Sequence, residues 1–189
     1  MGTRSVVGFR INNQDKLSYN QYDGYFEGVG ADVVLSIRKQ ITKESLEEIK
    51  RKAQDLILVD KDSTPTDEQQ RTFMEAGLYD GSVSNQSPND WYCLLRHAQG
   101  KPFMLLDAGI MLKANDFVFD SLSCEYAYII NLDTMKFEVY VGGINSKHNK
   151  ERYGKERENP DVDGYYPVAL IGEFDLMDIP DSWISLCER

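Results

Sequence analysis

Glu125-Tyr126-Ala127-Tyr128-Ile129-Ile130-Asn131-Leu132, then Asp133-Thr134-Met135, then Lys136-Phe137-Glu138-Val139-Tyr140-Val141, is the stretch that decides the fold. Two runs rich in aromatic and β-branched residues flank three turn residues, which is the pattern of a β-hairpin. Downstream, Gly142–Gly164 is long and polar, and a mobile loop is expected there. Tyr165–Phe174 reads as a final strand and Pro180–Arg189 as a short terminal helix. Upstream, Lys101–Leu106 is short and apolar and reads as a strand, while 110–123 fits no single period. At the far end of the chain a second hairpin is expected. Val7, Phe9 and Ile11 alternate with Val6, Gly8 and Arg10, a polar turn follows at Asn12–Lys16, and Leu17–Tyr22 alternates again.

The middle is helical. Ala31–Ile41 carries Val33, Val34, Ile37 and Ile41 on one side. Thr42 stands where an N-cap belongs, ahead of a stripe formed by Leu46, Ile49, Ala53, Leu56 and Ile57. Thr64-Pro65 and Ser87-Pro88 open two further helices. The first is closed by Gly77, and the second carries Trp91, Leu94, Leu95 and Ala98 and stops at Gly100. Strands, then helices, then strands predict a single α+β domain over 1–189. Its sheet is mixed or mainly antiparallel, and the N-terminal hairpin joins the C-terminal strands.

Composition narrows the function classes. With 41% apolar and 28% charged residues among 189, the chain is globular and large enough to fold without disulfides or metal. Its longest apolar runs, such as Phe103–Leu106, are far too short for a membrane helix, and no membrane partner is expected. No apolar h-region follows the start, and Val6 stands where a myristoylation pattern needs Ser or Thr. Cys93, Cys124 and Cys187 are too few and too scattered for a disulfide scaffold, so a reducing cytoplasm is the expected compartment. The net charge of −10 comes from 21 basic and 31 acidic residues. Acids crowd the end of the chain, at Asp161, Asp163, Glu173, Asp175, Asp178, Asp181 and Glu188. Such a surface repels nucleic acid in general and attracts a basic one, although acidity also serves plain solubility.

The most distinctive residues are Gly2-Thr3-Arg4-Ser5, then Tyr22-Asp23-Gly24-Tyr25, then Glu27-Gly28-Val29-Gly30. Glycines ahead of a helix can bring backbone N–H groups to an anion, but this spacing fits neither the dinucleotide fingerprint nor the phosphate-binding loop. The alternative is a tight turn that needs glycine for positive φ. These blocks resemble the opening of a family of small, largely uncharacterised proteins of bacteriophages and some bacteria. Members start Met-Gly-Thr-Arg-Ser and carry Asp-Gly-Tyr and then Glu-Gly or Ser-Gly before the first helix. Glu125–Asp133 leading into Phe137-Glu138-Val139-Tyr140 resembles the same group. The resemblance covers roughly fifty residues, implies a phage or prophage setting, and brings no catalytic residue with it.

Candidate binding residues follow from the aromatic and basic clusters. Where the two hairpins adjoin, Arg4, Tyr19, Tyr22, Tyr25, Tyr126 and Tyr128 would meet, flanked by Asp23 and Glu27, as a recognition surface or as cross-strand packing. Lys150 and Arg152 lead a basic run in the polar segment, expected as a solvated loop or as one that orders on a phosphate. Cys93 and His97 share a helix face and could ligate zinc or form a thiolate–imidazole pair, with a core cysteine beside a surface histidine as the plainer account. His148 has no partner in the sequence pattern. Asp60-Lys61-Asp62 begins like a calcium loop but fails at Thr64 and Pro65. The opening strand–turn–strand is similar to N-terminal-nucleophile hydrolases, for which Thr3 would need exposure by processing. No metal and no cofactor is expected. Three functions remain. The first is a non-catalytic phage-type protein that engages or inhibits a host or defence protein with a basic surface. The second is a binder of a small nucleotide-like signal, and the third a hydrolase using Thr3 or Cys93 and His97.

Overall fold

The computed structural model describes residues 2–82, 87–148, 151–157, 159–161 and 163–188. In chain order, β1 (Ser5–Ile11) and β2 (Gln14–Asn20) lead into a wide helical turn, Phe26–Gly30. Next come α1 (Ala31–Gln40), α2 (Leu46–Asp55), β3 (Ile57–Val59), α3 (Asp67–Glu75), α4 (Trp91–Leu94) and α5 (Pro102–Ala108). The chain then forms β4 (Ile110–Leu112), β5 (Tyr126–Asn131), β6 (Lys136–Val141), α6 (Arg152–Glu156), β7 (Ala169–Asp175) and α7 (Trp183–Cys187).

Five strands make one mixed sheet in the order β2-β1-β5-β6-β7. Both expected hairpins are there. Asn12 and Asn13 take left-handed φ of 53° and 59°, as a two-residue hairpin turn requires, and Met135 does so in the second turn at 59°. The hairpins join through a parallel β1–β5 pair, Ser5 opposite Tyr126 and Phe9 opposite Ile130. The Asp133 carboxylate ties the two turns together by accepting the N–H groups of Asn12 and Asn13, each at 2.8 Å. The α+β domain with an N-terminal hairpin, central helices and C-terminal strands is therefore what this sequence builds.

Alternation sends side chains to two different covers. One face carries Val7, Phe9, Ile11, Tyr128, Ile130, Phe137 and Val139, and the apolar sides of the helices bury them. The other carries Val6, Leu17, Ala127, Ile129 and Tyr140 under Val118, Tyr153 and Val168. At the β2 edge, Ala114 N–H donates to Leu17 O and the Asn115 side chain completes the ladder, accepting from Leu17 N–H and donating to Asp15 O.

Several local expectations change. Residues 102–108 are helical, not strand, because Pro102 sits in the first turn and Gly109 ends the helix at φ 72°. Leu56 and Ile57 leave the α2 stripe, and Ile57–Val59 pairs in parallel with β4. Thr42 does cap the turn that leads into α2, its Oγ1 accepting Ser45 N–H at 3.2 Å and its carbonyl accepting Leu46 N–H at 3.0 Å. Two starts move inward: Asp90 caps α4, and Thr66 rather than Thr64-Pro65 begins α3, in a reciprocal capping box with Gln69. The polar segment 142–164 contains α6, whose Tyr153 is buried against the sheet.

Candidate functional site

The glycine-punctuated block folds into a corner held by its own backbone. Gly24 N–H donates to Thr3 O at 3.0 Å, and Val29 N–H donates to Asp23 O at 2.8 Å. The positive φ of this corner belongs to Asp23, at 55°, and the glycines serve close approach instead. A Cβ on Gly28 would lie 2.2 Å from Asp23 O. The Tyr128 hydroxyl, on the central strand, donates to Gly24 O at 2.8 Å.

This corner divides the expected tyrosine cluster in two. Tyr126 and Tyr128 stack in parallel and meet Phe26 and Phe137 inside the helical layer. Tyr128 is fully buried, and burial pushes its hydroxyl far above the ordinary tyrosine value. Glu27 is exposed and adds, behind burial, to the rise at both tyrosines. Tyr128 is a core residue and Tyr126 is half-buried against that core, because their register sets them beside Val7 and Ser5 on the helix-covered face.

On the opposite face Arg4, Tyr19 and Tyr22 do come together, with two residues the sequence did not single out. The Tyr19 hydroxyl donates to Gln21 Oε1, and its ring lies 6.3 Å from Tyr92 and 5.2 Å from Phe117. The Arg96 guanidinium lies 5.4 Å from the Tyr22 ring centre and 4.9 Å from that of Tyr92, and it donates to the Tyr92 hydroxyl and to Gln99 Oε1. Tyr22 is nonetheless 55% exposed. It rests on the segment that precedes β1, where a Cβ on Gly2 would lie 2.5 Å from its ring. Arg4 N–H donates to Glu125 Oε1, while its Nε is buried without a partner. Tyr25 and Asp23 are exposed beside this patch, and Tyr25 engages the corner through its carbonyl. Spacing carried the missing signal, since Tyr92 and Arg96 are four apart and would share a face of the helix expected there, although α4 ends at Leu94 and Arg96 follows in a tighter turn.

Arg152 is elsewhere, in a buried ionic cluster. Its guanidinium reaches Glu138 Oε2 at 2.8 Å and Asp15 Oδ2 at 3.4 Å. Tyr140 and Asn131 donate to Glu138, Tyr153 donates to Asp15, and Arg10 pairs with Asp15 at 2.8 Å. Burial opposes the charge on Arg152, but the hydrogen bond to Glu138 and the surrounding groups outweigh it and raise its pKa. Arg152 thus anchors α6 to the sheet and does not reach into solvent. Lys150 lies outside the described residues. Glu138 stood out in the sequence only as a charge between Phe137 and Val139.

The other chemical candidates sit apart from this patch and from the Arg152 cluster. Cys93 is buried, and burial pushes its thiol up to about 11. His97 is exposed and faces Asp80 at 3.8 Å. His148 acquires partners, Glu151 at 2.6 Å and Pro167 O at 2.8 Å. Among the described residues no group of three His, Cys, Asp or Glu side chains is placed to hold a metal ion, and no helix is long and apolar enough to cross a membrane. A cleft of about 560 Å³ opens at the C-terminal ends of β3 and β4, between Asp60–Ser63 and Lys113–Phe117, and Phe117 on its wall is the ring that packs against Tyr19. No family model, curated protein or solved structure matches this chain.

Proposed function

We propose that this chain is a non-catalytic binding protein that grips another protein through Arg4, Tyr19, Tyr22, Tyr92 and Arg96. The observation that carries this reading is Tyr22, 55% exposed and yet stacked on the Arg96 guanidinium. Tyrosine and arginine dominate the energetic centres of protein interfaces, and a side chain held before contact loses little entropy on binding. The clefts lined by Asp60 and Phe117, by Arg38 and Asp181, and by Thr72 and Ala108 do not include these five residues, and a patch open to solvent suits a macromolecule better than a small ligand.

The resemblance of the opening block supplies the setting: a phage or prophage protein at work in the host cytoplasm, where it engages or inhibits a host or defence protein. The net charge of −10 would steer a partner with a basic surface toward it. The test is capture from host lysate with the wild-type chain and with Tyr22→Ser and Arg96→Gln. One host protein is retained by the wild type and released by both variants, with thermal unfolding unchanged. A partner retained equally by all three chains would overturn the patch.

A further inference from the structure

We infer that Arg4 and Arg96 form the seat of a phosphomonoester, with the Tyr22 ring as a platform for the group that bears it. This deepens the proposed function, because it names the chemistry the same patch would recognise. The argument starts from charge. The protein carries ten more acids than bases, so carboxylates are plentiful. Arg10, Arg38, Arg51 and Arg152 each have one as an ion-pair partner. Among the described residues Arg4, Arg71, Arg96 and Arg157 have none, and of these Arg4 and Arg96 share a neighbourhood around Tyr19. Arg4 immediately precedes Ser5, which pairs with Asn20, so Arg4 extends the ladder opposite Gln21 and on the Tyr19 side. Arg96 reaches the same place from the turn after α4 by stacking between Tyr92 and Tyr22. Both guanidiniums favour the ionised form of the Tyr19 hydroxyl, although burial and the neighbouring phenols raise its pKa overall.

Two unpaired guanidiniums around one hydroxyl repel each other unless an anion lies between them. A dianionic phosphoryl group balances two cations, where a carboxylate balances one. Arg4 Nε is a buried donor with no acceptor. The carboxylates in this region have other hydrogen-bond partners. Glu125 accepts Arg4 N–H, and Asp80, which feels Arg96 only as a charge behind that of His97, accepts from Ser82 and faces His97. The exposed Tyr22 ring beside this seat offers a flat face to an aromatic or base group.

The experiment uses the full chain labelled with 15N and titrated with phenyl phosphate, inorganic phosphate and benzoate. Phenyl phosphate is expected to saturate, shifting Gln21, Tyr22, Tyr92 and Arg96, and to bind more tightly than the other two. Arg96→Gln and, separately, Arg4→Gln weaken it about tenfold or more while the remaining spectrum stays in place. Where one variant fails to fold, the other carries the test. Absence of saturable shifts at these residues, or benzoate binding as well as phenyl phosphate, would falsify the seat. A phosphotyrosine peptide and adenosine monophosphate then distinguish the source. Tighter binding of the peptide places the phosphoryl group on a partner protein, and tighter binding of the nucleotide places it on a free ligand. Host-protein capture that depends on Tyr22 without any phosphate response would keep the binding function and remove the seat. A phosphate response without such capture would do the reverse.

Discussion

At the scale of the residue, the chain separates tyrosines that look alike in sequence. Tyr22 and Tyr128 both lie in the blocks that distinguish this chain, yet one is 55% exposed and the other fully buried. Alternation shows that Tyr126 and Tyr128 share a face but not which layer covers it, because both layers need apolar and aromatic residues. That choice depends on the parallel β1–β5 register, which is set by contacts far apart in sequence. Tyr92 and Arg96 are hard to single out because the same short stretch carries the core residues Trp91, Leu94 and Leu95. Tyr128→Phe isolates the polar part of the buried ring. It leaves Gly24 O without its donor and should cost about 1–2 kcal/mol in urea unfolding. An unchanged midpoint would mean that ring packing alone holds the corner.

At the scale of the element, hydrophobic pattern located both hairpins, α1, α7 and β7, and failed where end signals outweigh pattern. Residues 101–106 are too short and apolar for their period to distinguish strand from helix. Pro102 and Gly109 decide it by fixing both ends. β3 was hidden because three residues after a helix continue its stripe, and only the partner strand β4 gives them an extended shape. Helix α6 was hidden by its charge. Arg152 reads as solvated until Asp15 and Glu138, from β2 and β6, are brought beneath it. Arg152→Ala leaves two carboxylates in a site where Glu138 is 4% exposed, and should lower stability by about 3–5 kcal/mol. The same variant should be cleaved faster by trypsin within 142–164, and equal cleavage would show that α6 stays docked without its arginine.

At the scale of the whole molecule, the buried acids and thiols give stability a dependence on pH. Burial raises Cys93 and Cys187 to about 11, and it raises Cys124, Tyr128 and Tyr140 as well. Groups whose native pKa lies above the unfolded value contribute stability that is complete below the unfolded value and lost as pH rises through the native one. The urea midpoint should therefore hold at neutral pH and fall progressively above about pH 9. A flat midpoint to pH 10.5 would mean that these groups are hydrated in the native state. The central β1–β5 pair has a consequence for how the chain is made. β1 and β2 leave the ribosome well before the strand that closes over β1, which ends at Asn131. At typical synthesis rates the N-terminal hairpin waits on the order of ten seconds with an open edge and an uncovered apolar face. A nascent chain stalled short of Asn131 presents that edge to chaperones, and one released there has no sheet centre to fold around.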